Sequence, residues 1–144
     1  MCETKDLLKR LEEKLFDYLY PYKKMYSSEL FEFDVSSSEI FEIFGTYKNF
    51  YSSEPNECII LRMSINEENK QICISNIFIP EFMTHQGTGK KIISIVFQLA
   101  EQFGYELYLI EMVPSFYNKM IKRQALEVEG YSDVLKIVKE TKLT

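Results

Sequence analysis

The feature that most limits the folds open to this chain is a strand–helix–strand succession in its second half. The segment QICISNIFIP (71–80) alternates less cleanly than a half-exposed strand, which is typical of a central strand. KKIISIVFQLAEQFG (90–104) has β-branched residues that would suit a strand, but its apolar residues keep a helical stripe and Gly104 supplies a stop. YELYLIEMV (105–113) predicts a strand ended by Pro114. One helix that crosses between neighbouring strands makes them parallel, so we predict a mixed sheet.

The first half of the chain supplies a helix and further strands. Apolar residues at helical spacing predict a helix through Leu19, with Thr4 as its N-cap and Pro21 just beyond its end. This helix should pack one face on the body of the protein, with a homodimer contact as the alternative. The segments after it are predicted, in order, as a strand (29–36), a short helix (36–45), a loop (46–57), a strand (57–65) and a hairpin loop (66–70).

The C-terminal part is predicted to close the sheet. PSFYNKMIKR (114–123) predicts a short helix with proline near its start, and ALEVEGYSDVLKIVK (125–139) predicts two strands that turn near Gly130. The chain has 144 residues, of which 46% are hydrophobic, and it shows no repeat and no linker. We therefore predict a single domain over 1–144, with an N-terminal part (1–56) and a core (57–144).

Composition and charge argue against several classes of function. The net charge of -5 disfavours a general nucleic-acid or membrane-surface binder. The three cysteines are not closely spaced, which argues against a disulfide framework and a zinc site. The chain has a single histidine, which argues against a metal site of any kind. The N-terminus is too charged for a signal peptide, and no apolar run approaches the roughly 20 residues that span a bilayer. We expect a soluble cytoplasmic protein.

Two glycines in the segment FMTHQGTGKK (82–91) stand between the predicted central strand and the helix. Ordering a glycine on folding costs more conformational entropy than ordering other residues. Gly87 and Gly89 therefore indicate either a tight turn or a phosphate bound by backbone amides at a helix start. The segment is not a P-loop, because no Gly-Lys-Ser/Thr follows, and it lacks the third glycine of a dinucleotide fingerprint.

At this segment the chain resembles the GNAT superfamily of N-acetyltransferases, from about residue 57 to the C-terminus. The family loop reads Arg/Gln-x-x-Gly-x-Gly/Ala, and THQGTG (84–89) occupies its place, with Thr84 where the family prefers Arg or Gln. In the family, the loop amides hold the pyrophosphate of acetyl-CoA, and the preceding strand pairs its backbone with the pantetheine arm. The resemblance implies these cofactor-binding residues: Ile77, Phe78, Ile79, Thr84, His85, Gln86, Gly87, Thr88, Gly89 and Lys90.

A second segment, SFYNK (115–119), resembles the family's Phe-Tyr-x-Lys segment, so that Tyr117 matches a tyrosine that often protonates the departing thiolate. A tyrosine with the reference pKa of about 10 is protonated at neutral pH and can act in this way. Taken alone, as one of ten tyrosines, Tyr117 fits a packing residue better than a catalytic one. The resemblance also implies an α/β (α+β) fold with a mixed, mostly antiparallel central sheet and helices on both faces.

Acetyl transfer to an amine also needs a group that removes a proton from the amine. Glu111, late in the second strand of the parallel pair, is the candidate, with a solvated surface residue as the alternative. Asn76 could position the acceptor. We predict an acetyl-CoA-dependent N-acetyltransferase that acts on a small-molecule or protein amine, without metal, nucleic acid or membrane as partner. The alternatives are a GNAT-like domain that binds the coenzyme or a protein without catalysis, which Thr84 favours, and an unrelated α+β interaction module.

Overall fold

The structure, a computed structural model, describes residues 2–25, 31–37, 40–47, 56–78 and 87–143. These residues form three helices and seven strands. In chain order they are α1 (Cys2–Met25), β1 (Phe31–Ser37), β2 (Ile40–Tyr47), β3 (Asn56–Asn66), β4 (Gln71–Ile77), α2 (Thr88–Gln102), β5 (Glu106–Leu109), α3 (Pro114–Lys122), β6 (Leu126–Val128) and β7 (Tyr131–Ile137).

The strands form one seven-stranded sheet in the order β1-β2-β3-β4-β5-β7-β6. β4 and β5 are parallel, and every other neighbouring pair is antiparallel. The α2 crossover explains the parallel pair, because a strand that follows a crossover helix re-enters the sheet in the same direction. The predicted α/β class with a mixed, mostly antiparallel sheet is therefore confirmed.

One apolar core joins the helices to the sheet. Four leucines of α1, spaced four residues apart, have no exposed surface and belong to the same buried cluster as residues of α2 and the central strands: Leu7, Leu11, Leu15 and Leu19. In β4 and β5 the buried side chains alternate, as the two-residue period of a strand requires. The prediction that the first helix packs one face on the body of the protein is confirmed.

The segment 36–45 was predicted as a short helix, and this is wrong, because Ile40–Tyr47 forms β2. Apolar residues at 40, 41, 43 and 44 fit a helical stripe, but Phe41 and Ile43 also fit the two-residue period of a strand, and both are fully buried. β2 is bonded to β1 on one side and to β3 on the other. Pairing on both edges satisfies the backbone groups that a short helix would leave unpaired at its ends.

The predicted ends of α1 are also wrong. The helix begins at Cys2, so Thr4 lies inside it and is not the N-cap, and it continues to Met25 past Pro21. Pro21 is exposed, and a proline on the solvent side of a helix tolerates the lost hydrogen bond and the bend it causes.

Several local predictions are confirmed, with shorter bounds for one strand. β3 and β4 are joined by the predicted hairpin, and Gly104 and Gly130 have the positive φ angles of 76° and 86° that turns and helix ends favour. β5 ends at Leu109, four residues before the predicted end. The predicted loop at 46–57 gives two residues to each flanking strand, and its centre lies outside the described residues.

Candidate functional site

The most unusual backbone feature is a fork between the two parallel strands. β4 and β5 pair as far as Ile74 and Leu109, and the Ile110 N–H donates the next hydrogen bond to the Ile74 carbonyl at 2.9 Å. β4 then continues to Ile77 beside β3 alone, while β5 has ended. Among the described residues, the last part of β4 therefore has no strand partner on its β5 side.

A bulge in β4 begins at the fork. Across the β3–β4 ladder Met63 pairs with Ile74 and Arg62 pairs with Asn76, so Ser75 is an extra residue. A bulged strand bends and twists more strongly than a regular one, and this bulge lies where the pairing of β4 with β5 stops. The Ser75 hydroxyl donates a long hydrogen bond of 3.5 Å to the Arg62 carbonyl. No local sequence signal predicts this bulge, because serine in a strand is not specific to bulges.

Asn76 and Phe78 hold the end of β4 against β3. The Asn76 side-chain nitrogen donates to the Ile59 carbonyl at 2.7 Å, and the Phe78 N–H donates to the Ile60 carbonyl at 2.9 Å. Asn76 therefore has a structural bond, and its predicted role in positioning the acceptor stays a prediction. Phe78 keeps 41% of its surface exposed, so an apolar side chain lies open at the fork.

The start of α2 has the properties of an anion site. Gly87 is the N-cap residue, its φ of 69° and ψ of 21° are left-handed, and no side chain caps the helix. The first turn contains no acidic residue but does contain Lys90, whose Cε would lie 3.7 Å from a Cβ on Gly87. A lysine near a helix N-terminus opposes the helix dipole, so this arrangement favours a bound anion that interacts with both.

The topology brings this helix start to the fork. A crossover helix runs antiparallel to its strands, so its N-terminus lies at the carboxyl edge of the parallel pair. Gly87, Thr88, Gly89 and Lys90 thus share that edge with Ile77 and Phe78. The predicted residues Ile79, Thr84, His85 and Gln86 lie outside the described residues.

Glu111 and Tyr117 follow β5 at the same edge. Glu111 is exposed, and its φ of 54° is left-handed, a conformation that non-glycine residues adopt at a cost of roughly 1–3 kcal/mol and that concentrates at functional sites. Tyr117, in the second turn of α3, is half-buried against the core and its N–H bonds the Val113 carbonyl at 3.0 Å. In the described part of the chain its hydroxyl has no hydrogen-bond partner. Their catalytic roles stay predictions.

A group of polar side chains on β4, β5 and β7 was also missed. The Tyr108 hydroxyl donates to Glu106 Oε2 at 3.0 Å, and the Lys136 Nζ lies 2.5 Å from the same oxygen. Lys136 and then Tyr108 lower the pKa of Glu106, while Glu106 raises the pKa of Lys136. Burial, followed by the bond to Glu106, raises the pKa of Tyr108, and burial raises the pKa of the free Cys73 thiol. Glu106 and Tyr108 are two residues apart on β5, so their side chains lie on the same face of the sheet. This spacing is the sequence signal for the pair.

Neither a metal cluster nor a membrane helix occurs within the described ranges. No group of three or more His, Cys, Asp or Glu residues there could hold a metal ion. None of the described helices is long and apolar enough to cross a bilayer.

Comparison with known proteins gives a structural likeness but no sequence match. No family model and no curated protein matches the sequence. The crystal structure of nourseothricin acetyltransferase aligns with 74% of this chain and 81% of that chain, at 10% identity and a TM-score of 0.42. A likeness at this level carries no argument about function, so the proposals below rest on the residues of this chain.

Proposed function

We propose that the protein is an acetyl-CoA-dependent N-acetyltransferase that acts on a small-molecule or protein amine. The observation that carries the proposal is the fork between β4 and β5, which shares its edge of the sheet with the left-handed Gly87 and Lys90 at the start of α2. A free strand edge can bond an extended, amide-containing chain, and a helix start with a lysine can bind phosphate. Acetyl-CoA contains both parts, and the sequence resemblance to GNAT enzymes agrees.

The residues at this edge fit the coenzyme as follows. The amides near Gly87, Thr88 and Gly89 would hold its pyrophosphate, with Lys90 beside them. The backbone of Ile77 and Phe78 would bond its amide-containing arm, and the exposed Phe78 ring gives that arm an apolar contact. By resemblance, Ile79, Thr84, His85 and Gln86 complete the set. When bound, acetyl-CoA supplies the acetyl group as a reactive thioester.

The chain itself supplies the proton chemistry. An amine reacts only when it is neutral, and the exposed Glu111 carboxylate would accept its proton, directly or through a water. The left-handed backbone of Glu111 turns the chain away from the sheet just past the fork. The Tyr117 hydroxyl, which has no partner in the described residues, would hold the proton needed by a departing sulfur.

Calorimetry with acetyl-CoA tests the coenzyme site. We expect saturable binding that Lys90→Gln weakens roughly tenfold, because a lysine–phosphate contact contributes about 1.5 kcal/mol or more. The matched control is Lys5→Gln on the exposed side of α1, which should leave the affinity unchanged. If the wild-type chain does not bind acetyl-CoA, the proposal is overturned.

Transfer is then assayed as thiol release with a panel of small amines and peptides. Acetylation of any of them supports the proposal. Saturable acetyl-CoA binding without transfer to any amine would instead identify a coenzyme-binding module that does not catalyse.

A further inference from the structure

A shallow depression lies on the sheet beside the fork. It has a volume of about 230 Å³, and its lining residues lie on β4 to β7 or directly after β5: Gln71, Cys73, Tyr108, Ile110, Val128, Tyr131 and Val134. The depression reaches the fork itself, because Ile110 both lines it and donates the last bond of the β4–β5 pair. A molecule in this depression could therefore contact Ile110, the residue directly before Glu111.

Gln71 is a polar residue of the wall, whereas the Tyr108 hydroxyl and the nearby Glu106 carboxylate already have partners. The Tyr108 hydroxyl is bonded to Glu106, and the Glu106 carboxylate is neutralised by Lys136. The Tyr108 ring, the Cys73 thiol and the Val134 side chain remain as contact surface, each half-buried. Such a surface favours the apolar part of a ligand and disfavours a strongly hydrated one.

Acidic residues line a neighbouring depression. A second, open depression of about 610 Å³ at the β6–β7 turn shares Val128 and Tyr131 with the first and is also lined by Glu127 and Glu129. In the described ranges neither glutamate forms an ion pair. Tyr131 is 64% exposed and lines both depressions. Carboxylates beside an open aromatic ring attract a cation.

We propose that this depression is the acceptor site of the transferase and that it takes a cationic amine with an apolar, ring-sized body. The apolar body packs on Tyr108 and Val134, and the charge of the free amine is attracted by Glu127, Glu129 and the Tyr131 ring. The acceptor role rests on the proposed function. Binding of an amine to the depression can be measured without acetyl-CoA.

Binding of phenethylamine to the full chain tests the chemistry of the site. Two analogues of similar shape serve as comparisons: phenethyl alcohol, which is neutral, and hydrocinnamate, which is anionic. Amide NMR spectra of the protein during titration should shift at Cys73, Tyr108, Tyr131 and Val134. We expect phenethylamine to bind at least about threefold more tightly than the alcohol, with a difference that shrinks in salt. Equal affinities, or shifts confined to another surface, overturn the proposal.

Variants at exposed positions test the named contacts without disturbing the core. The double variant Glu127→Gln/Glu129→Gln and the single variant Tyr131→Ser should each weaken phenethylamine binding about threefold or more. The matched control is Glu12→Gln/Glu13→Gln on α1, which removes the same charge from an exposed surface with no link to the fork. If the control weakens binding as much as the Glu127→Gln/Glu129→Gln variant does, general charge attraction explains the result and the site is rejected.

Acetyl-CoA binding separates the two proposals. A chain that binds acetyl-CoA but shows no preference for phenethylamine keeps the proposed function and loses this acceptor site. A chain that binds phenethylamine at Tyr131 but not acetyl-CoA keeps the amine site and loses the transferase.

Discussion

Gly87 and Gly89 are two residues apart, yet the backbone requires glycine at only one of them. Gly87 has a left-handed φ of 69°, which residues with a Cβ adopt at a cost. Gly89 lies inside α2 and is not among the positive-φ residues, and there a glycine is less stable than alanine by up to about 1 kcal/mol. Its presence therefore favours a demand for space beside the amides at the helix start.

Gly89→Ala should separate binding from folding. We expect the free energy of unfolding to be unchanged or raised by up to about 1 kcal/mol, because alanine favours the helix. Acetyl-CoA affinity should fall roughly tenfold, because a Cβ on a helix points towards its N-terminus and into the space for the pyrophosphate. Urea unfolding and calorimetry measure the two quantities.

The other end of the same helix supplies the control for Gly89. Gly104 has a φ of 76° and open space around it, so Gly104→Ala should lose about 1 kcal/mol of stability through backbone strain. Its acetyl-CoA affinity should not change. A Gly89→Ala protein with wild-type affinity would show that the glycine has no role at the coenzyme site.

Tyr117 can be tested by the loss of one atom. Tyr117→Phe keeps the ring that packs on the core and removes the hydroxyl, so melting temperature and acetyl-CoA affinity should stay close to wild type. Turnover should fall roughly a hundredfold where chemistry is rate-limiting, the usual contribution of a general acid. Tyr20→Phe, on the exposed side of α1, is the control. Wild-type turnover in the Tyr117 variant would leave that residue as a packing residue.

At the scale of elements, β4 decides the geometry of the candidate site. The extra residue Ser75 bends the strand, and the bond from Asn76 to the Ile59 carbonyl holds the bent end against β3. β5 ends before this point, so the fork needs both strands. The α2 crossover sets the positions of the glycines and of Tyr117 relative to these strands. The bulge in β4 and the end of β5 together set the fork.

The ion pair that links β5 to β7 predicts a dependence of stability on pH. Lys136 lowers the pKa of Glu106, so the carboxylate stabilises the fold above its unfolded value of about 4.3 and loses this effect as pH falls through the lower folded-state pKa. Glu106 raises the pKa of Lys136, so that contribution is complete below about 10.4 and is lost as pH rises through the higher folded-state pKa. The pair is therefore effective from mildly acidic to mildly alkaline pH.

Glu106→Gln measures this contribution. Both partners are largely exposed, with 47% of the Glu106 and 35% of the Lys136 side-chain surface accessible, so we expect a loss below about 1 kcal/mol at neutral pH. The difference from wild type should shrink between neutral pH and an acidic pH well below the unfolded value of about 4.3, as the carboxylate becomes protonated. Glu101→Gln, in a longer pair of 3.7 Å with Lys139, should have a smaller effect. A difference that is the same at both pH values would contradict the assignment.

At the scale of the whole molecule, stability depends on the contact between α1 and the sheet. Leu11 is fully buried in the core formed with α2 and the central strands. Leu11→Ala should lower the free energy of unfolding by about 2–5 kcal/mol, because the cavity adds to the lost apolar burial. Glu12→Ala, next to it and exposed, should stay within about 0.5 kcal/mol. A similar, small change in both variants in urea unfolding would show that α1 is peripheral.

The sequence by itself determined the elements whose signals are local. The leucine stripe of α1, the β-α-β unit with its parallel pair, and the turns at Gly104 and Gly130 follow from periodicity and backbone preference, which neighbours along the chain set. It also placed Gly87 at the start of the crossover helix, and Glu111 and Tyr117 after it in chain order.

The tertiary structure alone decided the features that depend on neighbours across the sheet. Residues 40–47 became β2 because β1 and β3 pair with both of its edges, which outweighs a helical stripe in a short segment. The bulge at Ser75, the fork at Ile110 and the depression beside Tyr131 depend on the register between strands. Register is a relation between distant parts of the chain, and the local pattern of any one segment does not contain it.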